Sequence, residues 1–322
     1  MKTRKNKEEL LKLDSIKPFI ETVEDYNNTP EDYVRFFTVR INGKKRNLVT
    51  YKADDKGIAL RKYHRYFASV MKLCYKSCDD SFAYKEGTGV LPCLEQHMHS
   101  NTFLKSDIHE YFNSIDYEIL KNLILEDNAC KRRPDRIKKL LKACFYDGHL
   151  PIGFITSPVL SDLYLHKIDK MFLEREGVVY TRYADDFIIS GNDNKETLER
   201  VKMELANSLE EYGLELNRKK TYFRTLKRPG DAIHVLGVNL VNDEPNQNRI
   251  TISDKYIREV SKAVCSFVND YHKLDKDELI KVKTNLQGRI EFIRHYSSSS
   301  YKKLERMIEV KSGNKLDRLT RV

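Results

Sequence analysis

Hydrophobic positions in this chain switch repeatedly between helical spacing and strand-like runs, and each switch marks an element. Leu10, Leu13, Ile16 and Ile20, flanked by Leu11 and Phe19, fall on one helical face that Pro18 interrupts. Residues 35–51 turn β-prone: RFFTVRI and KKRNLVTY flank Asn42-Gly43, a pair suited to a type I′ turn, so a β-hairpin is expected. Leu60, Tyr63, Phe67, Val70, Met71 and Leu73 then predict a helix over roughly 59–76. Residues 81–99 read as a loop around Gly87 and Gly89, followed by a short helix after Pro92.

Across the middle, strand-like and helical runs alternate. Residues 103–108 predict a short strand. Helices are expected near 116–129 and over 134–147, the second with a basic face at Lys138, Lys139 and Lys142. Residues 148–158 form a glycine-punctuated loop, from which Ser157 and Pro158 open a helix carrying Leu160, Leu163, Tyr164, Ile168, Met171 and Phe172. In 178–190 two β-prone runs meet at Ala184-Asp185, which sets an acidic pair at a hairpin tip. A helix over 195–211 and strands over 213–223 and 233–240 follow. From Ser253 the pattern is helical again, with Ile257, Val260, Val264, Phe267, Val268 and Tyr271 on one helix, then 279–296 and 301–310. The mixture predicts an α+β class, and no stretch is rich enough in glycine and proline to mark a linker between independent domains.

Composition narrows the function. With 322 residues, 40% hydrophobic, the chain can bury a sizeable core, and nothing in its make-up is that of a disordered or fibrous protein. Lys and Arg total 58 against 48 acids, a net +10 that favours a polyanionic partner such as nucleic acid. The six cysteines lack the repeated close pairs of a zinc ribbon or finger. Cys74, Cys78 and Cys93 with His97 and His99 are the one combination imaginable around a zinc, and buried thiols are the simpler expectation. No apolar stretch approaches the ~20 residues of a membrane span. Lys and Glu interrupt the first fifteen residues, where a signal peptide would be apolar, so a cytoplasmic protein is expected.

Three acids stand apart from the general charge. Asp107 ends a short apolar strand, and Asp185 and Asp186 are adjacent at a hairpin tip from which FIIS resumes the strand. Charges inside or at the end of strands cost desolvation, and neighbouring carboxylates repel. A bound cation compensates both, and two Mg2+ ions bridging carboxylates to phosphates would support phosphoryl transfer.

At these residues the sequence resembles the reverse transcriptases, nearest the bacterial retron, group II intron and defence-associated branches, over about 35–310. INGKKR followed by NLVT resembles the fingers hairpin, and FLKSDIHEYFNSI the first catalytic motif. GHLPIGFITSPVLSDLYLHKID is similar to the motif shaping the nucleotide and template pocket, and YTRYADDFIIS to the hallmark catalytic hairpin. GLELNRKKT resembles the next motif and VLGVNL the primer grip, so six motifs stand in family order.

The resemblance implies a right-hand polymerase fold: an N-terminal extension over 1–34, fingers over 35–102, a palm over 103–240 with inserted fingers elements, and a short helical thumb over 241–322. It implies metal ligation by Asp107, Asp185 and Asp186 and by the main-chain carbonyl of Ile108, with two Mg2+ ions for which Mn2+ can substitute. Phe112, five residues after the first Asp, would crowd a ribose 2′-OH and favour dNTPs; core packing beside Ile115 is its plain alternative. Arg46 resembles the fingers arginine that folds over the triphosphate, with Arg40, Lys44 and Lys45 nearby. Lys220, with Lys219 as the close alternative, resembles the lysine that protonates the leaving pyrophosphate. Gly153 would admit the nucleotide against the backbone. The family's Pro-Gln-Gly stands here as Pro151-Ile152-Gly153, and Ile152 cannot make the glutamine's hydrogen bonds.

The C-terminal part resembles a retron thumb, whereas the retron Asn-Ala-any-any-His is missing and Val-Thr-Gly appears as Val235-Leu236-Gly237. The resemblance therefore implies a compact defence-associated enzyme in antiphage defence, with a divergent retron enzyme as the alternative. Expected partners are an RNA template, a DNA or RNA primer, dNTPs, a structured noncoding RNA and an operon-encoded protein. Lys302, Lys303, Arg306, Lys311, Lys315, Arg318 and Arg321 are the expected contacts to the noncoding RNA. Template-independent or protein-primed synthesis, and a role as an RNA-binding subunit of a larger complex, stay open as further readings.

Overall fold

The computed structural model describes residues 11–41, 44–85, 87–192, 195–244 and 247–313. The Asn42-Gly43 turn, Leu10, Lys315, Arg318 and Arg321 lie outside them. The chain divides into two compact units. One comprises Met1–Gly89, Leu104–Ile189 and Asn194–Phe223, the other Val90–Phe103, Ser190–Asp193 and Arg224–Val322.

In the first unit, the apolar stripe near the start forms a short helix, Leu13–Ile16. A 3-10 turn carries Pro18, and the helix Ile20–Asn28 follows. The expected hairpin is present: β1 (Val34–Ile41) pairs antiparallel with β2 (Lys44–Tyr51), in the register Phe36↔Val49 and Val39↔Arg46. Its base is buried through Val34 and Tyr51, while Phe36 and Phe37 are 57% and 43% exposed. The following helix, Asp55–Cys74, starts at Asp54, whose side chain accepts from the Gly57 amide. It buries Leu60, Tyr63, Phe67, Val70 and Met71. Leu73, expected on the same stripe, is 46% exposed, whereas Cys74 and Tyr75 beyond it still pack against the core.

Strands β3 (Thr102–Asp107), β4 (Val179–Tyr183), β5 (Asp186–Gly191) and β6 (Tyr222–Thr225) form one sheet in the order β4-β5-β3-β6. The two central strands are buried along almost their whole length, which accounts for their continuous apolar runs. The helix expected from Ser157 is two, Ser157–Tyr164 and His166–Leu173, and Leu165 between them departs from helical geometry with ψ near 0°. Of the strand expected over 213–223, only the end is one. Residues 213–221 are irregular, joined to the end of β3 by a single bridge from Leu216 to Ile108.

The second unit holds a meander of β7 (Ala232–Val235), β8 (Val238–Glu244) and β9 (Gln247–Thr251), then the helices Asp254–Asp270, Lys276–Tyr296 and Ser298–Ser312. The run 233–240, expected as one strand, is a hairpin, because Leu236 and Gly237 both take positive φ, 50° and 87°. The helix Lys276–Tyr296 opens with a capping box between Asp275 and Glu278.

One buried histidine ties elements of the first unit together. His64 donates from Nε2 to the Ala143 carbonyl at 2.8 Å, and its Nδ1 accepts from the Tyr51 hydroxyl at 2.8 Å. That hydroxyl accepts in turn from the Ile155 amide. Burial pushes the imidazole down from 6.5 to about 4, against the pull of the Ala143 bond. The unfolded chain therefore takes up a proton near pH 6.5 that the folded chain refuses until about pH 4. Stability falls with pH through that window, by at most ~1.4 kcal/mol per pH unit from this group. His64→Gln should be less stable than wild type near neutral pH and should lose less on acidification. Parallel pH–stability curves for the two proteins would remove His64 as the cause.

Candidate active site

Asp107 ends β3, and Asp185 and Asp186 stand where β4 meets β5. The backbone sets them together: the Ile108 amide donates to the Asp185 carbonyl at 3.1 Å. Carboxylate oxygens of all three acids lie within 4.8 Å of one another. The tip turns on Ala184, whose φ of 58° is left-handed. That conformation costs an L-residue ~1 kcal/mol or more and persists only where its surroundings hold it.

Asp107 is almost fully buried and accepts from Asn217 Nδ2 at 3.2 Å and from the Lys220 ammonium. Asn217 is fixed in turn by its amide, which donates to the Asp107 carbonyl at 2.7 Å. On the other side Lys105 Nζ lies 3.8 Å from Asp186. Burial pushes the Asp185 carboxyl above the usual range, and the charge of Asp107 adds to it. Burial also raises Asp186, to about 6, although Lys105 pulls the other way. Three acids converging from two strands, with oxygen donors alone, suit a hard divalent cation better than a soft metal.

Directly behind the tip lies a fully buried cation. The Arg182 guanidinium donates to Asp169 from Nε at 2.7 Å and from Nη2 at 2.5 Å, and to Asp162 from Nη2 at 2.8 Å. Its Nη1 donates to the carbonyl of Ala184 at 2.9 Å. The two carboxylates have further donors: Tyr180 on Asp169, and Ser77 and Ser81 on Asp162. Every charge in the network is thus paired and hydrogen-bonded, the condition under which burial is tolerable. The one guanidinium nitrogen that meets no carboxylate holds the left-handed residue next to Asp185.

Among the other expected residues, Arg46 projects from β2 as an exposed residue, and its charge reaches Asp185. Phe112 sits in the short helix Tyr111–Ser114, half-buried against the core, its ring 5.6 Å from that of Tyr111. The loop of Ile152 and Gly153 is stitched to the hairpin by the Val49 amide, which donates to the Ile152 carbonyl at 3.0 Å. Gly153 has φ 124°, and a Cβ built there would lie 2.3 Å from the Val49 carbonyl oxygen. The close approach that requires glycine here is that of β2. Of the lysine pair, Lys220 is the one whose ammonium reaches an acid; Lys219 contributes its amide to the Asn217 side chain.

Residues 43–240 match the family described as reverse transcriptase (RNA-dependent DNA polymerase). The chain belongs to the reverse transcriptase family. Among curated proteins, the chain is similar to the Retron Mx65 reverse transcriptase of Myxococcus xanthus, 29% identical over 177 residues, covering 48% of this chain and 38% of that one. It is also similar to the Retron Ec83 reverse transcriptase of Escherichia coli, 25% identical over 244 residues, covering 71% and 73%. The chain thus spans well under half the length of the first relative and nearly three quarters of the second. Among solved structures it resembles apo telomerase from Candida tropicalis, with TM-score 0.54, 12% identity and coverage of 88% and 59%. It also resembles telomerase from Candida albicans in complex with a TWJ fragment of telomeric RNA, with TM-score 0.52, 12% identity and coverage of 86% and 60%. At that identity the likeness is one of fold, the right-hand polymerase.

The sequence alone did not single out Lys105, Asn217, Arg182, Asp162 and Asp169. A signal for Arg182 existed, since a charge between two tyrosines in a β-prone run needs a buried partner. The zinc arrangement does not form among the described residues. Cys74 converges with Asp127 and Cys130, and Cys78, Cys93, His97 and His99 belong to no such group. His97 is buried, with Nδ1 2.6 Å from Ser190 Oγ, and none of the six cysteines is in a disulfide among the described residues. No described helix is long and apolar enough to cross a membrane. Of the expected C-terminal RNA contacts, Lys302, Lys303, Arg306 and Lys311 are described, and Lys303 pairs with Asp254 at 2.7 Å.

Proposed function

We propose that the chain is an RNA-directed DNA polymerase that adds dNTPs to a primer 3′ end. The observation that carries this reading is the convergence of Asp107, Asp185 and Asp186 in a chain of this family. Two Mg2+ ions, or Mn2+ in their place, held by these carboxylates and the Ile108 carbonyl, would activate the attacking hydroxyl and neutralise charge on the phosphates. Arg46 and its hairpin hold the triphosphate. Lys220 stands beside Asp107 to give a proton to the leaving pyrophosphate. Phe112 closes the space beside the sugar 2′ carbon, and Ile152 leaves the nucleotide pocket without the family's amide. Fingers over 35–102, palm over 103–240 and thumb over 241–322 are the matching assignment.

The test is primer extension on an RNA template with purified chain and Mg2+, using dNTPs and rNTPs in competition. Wild type should extend with dNTPs. Phe112→Ala should raise the rNTP-to-dNTP ratio by ~10-fold or more, at a stability cost of ~1–3 kcal/mol for a half-buried ring. An unchanged ratio on folded protein would reject Phe112 as the gate.

The setting we propose is antiphage defence, by a compact enzyme with its own structured noncoding RNA or an operon partner. The retron relatives favour a second reading, in which the noncoding RNA is itself the template for msDNA. Sequencing the nucleic acid that copurifies separates the two: DNA covalently continuous with one RNA species supports the retron reading.

A further inference from the structure

The densest basic stretch of the chain includes neither the three acids nor the C-terminal segment. Residues 131–142 hold Lys131, Arg132, Arg133, Arg136, Lys138, Lys139 and Lys142 against one acid, Asp135. The helix Pro134–Lys142 buries Ile137, Leu140 and Leu141, which turns Lys138, Lys139 and Lys142 outward as exposed residues. These three lysines line a cavity of about 410 Å³, whose far wall is Glu24, Asn27 and Asn28 of the helix Ile20–Asn28. Asn27, Tyr117 and Lys142 also line a second cavity of about 330 Å³, which continues to Phe145 and Tyr146. One groove therefore carries lysines at one end and aromatic rings at the other.

The details fit an unpaired nucleic-acid strand. Lys139 and Lys138 have only loose, exposed ion pairs, with Glu24 at 3.3 Å and Asp135 at 3.4 Å, which phosphates can displace. Tyr117 is held by Phe145 in an edge-to-face contact at 5.4 Å and by its hydroxyl on the Lys138 carbonyl, so its ring is preset. Asn27 donates from Nδ2 to the Lys139 carbonyl, and its buried Oδ1 has no hydrogen-bond partner among the described residues. Duplex bases cannot enter such a cavity, whereas unpaired bases stack on aromatic rings and leave their phosphates to the lysines.

The aromatic end leads toward the nucleotide side. Tyr146 packs edge-on against the exposed Phe36 of β1 at 5.2 Å. Phe36 pairs across the hairpin with Val49, whose amide is bound to Ile152. We propose that this groove holds the single-stranded template RNA ahead of the copied position, its phosphates on Lys138, Lys139 and Lys142 and a base between Tyr117 and Tyr146. This rests on the polymerase reading, and it names the path by which the template reaches that site.

The test is equilibrium binding of the full chain to labelled primer–template duplexes with an RNA template, without dNTPs. The templates have either no 5′ overhang or one of about 12 nucleotides. Wild type should hold the long overhang at least ~5-fold more tightly, and Lys138→Ala, Lys139→Ala and Lys142→Ala combined should erase that preference. The slope of log affinity against log salt should fall by about 2, because three lysines no longer neutralise phosphates of a single strand. Ultraviolet crosslinks from the overhang should map to Tyr117 or Tyr146. A wild type indifferent to the overhang, or a variant that keeps the preference, overturns the proposal. Equal losses on both substrates assign the lysines to duplex or to an RNA bound in trans and overturn it as well. Primer extension run in parallel keeps the two readings apart. Overhang preference without extension rejects the polymerase, and extension without overhang preference rejects the groove.

Discussion

Asp185→Ala combined with Asp186→Ala should abolish dNTP incorporation, by at least ~10³-fold, and leave a chain that is folded and more stable than wild type when divalent cations are chelated. Both parts follow from the same geometry. The carboxylates of Asp107, Asp185 and Asp186 share a space under 5 Å across, and burial raises Asp185 and Asp186 above the usual range. A carboxyl whose folded pKa is raised is destabilising above that pKa, and the penalty is relieved as pH falls toward its unfolded value. Removing both groups should thus stabilise the chain near neutral pH, on the order of 1–2 kcal/mol. The gain should shrink on acidification from about pH 7 through the folded pKa of Asp186, about 6. Thermal denaturation of both proteins with chelator, at several pH values, measures this; primer extension measures the rest. Activity within tenfold of wild type would end the assignment of these acids as metal ligands. A variant no more stable at neutral pH would show that Lys105 and Lys220 already compensate the cluster.

What the sequence made legible follows from where each residue's partners lie. The hairpin at β1 and β2, the helix Asp55–Cys74 and the acidic tip were readable because their signals are local: a turn pair, a helical stripe, two acids between β-prone runs. The turn at Leu236-Gly237 was not, because Val235 and Val238 on either side are as suited to a strand as to a hairpin. Only the pairing of β7 with β8 tells them apart. The run 213–221 misled for the opposite reason. Its alternation of Leu214 and Leu216 looks like a strand, but Asn217 turns the chain to reach Asp107. Asp162 and Asp169 were hidden most completely. They stand seven residues apart in helical runs, each beside one polar residue, Ser161 or Lys170, and only a buried cation from another element makes them core. The apolar half of such a core can be inferred from period; its ionic half depends on a partner distant in sequence.

That ionic half carries the second large effect. Arg182→Met should cost ~3–5 kcal/mol, because Asp169 and Asp162 are left buried without their cation. Arg182→Lys is the more informative change. It keeps the charge, but one ammonium cannot reach Asp169, Asp162 and the Ala184 carbonyl together as the planar fork does. The expected loss in stability is smaller, ~1–3 kcal/mol. The expected loss in activity is larger than that destabilisation explains, ~10–100-fold at a temperature where the variant is folded. The reason is that Ala184 loses the donor that holds its left-handed φ, and a displacement near 1 Å at the carboxylates is worth about that much. A purely structural role would lower the melting temperature and leave the folded fraction fully active. A positioning role should raise the Mg2+ concentration needed for half-maximal extension and weaken Mn2+ binding followed by its EPR signal, a readout that needs no turnover. Arg182→Lys protein that is folded, binds Mn2+ within twofold of wild type and extends primers at the wild-type rate would reduce the buried arginine to packing alone.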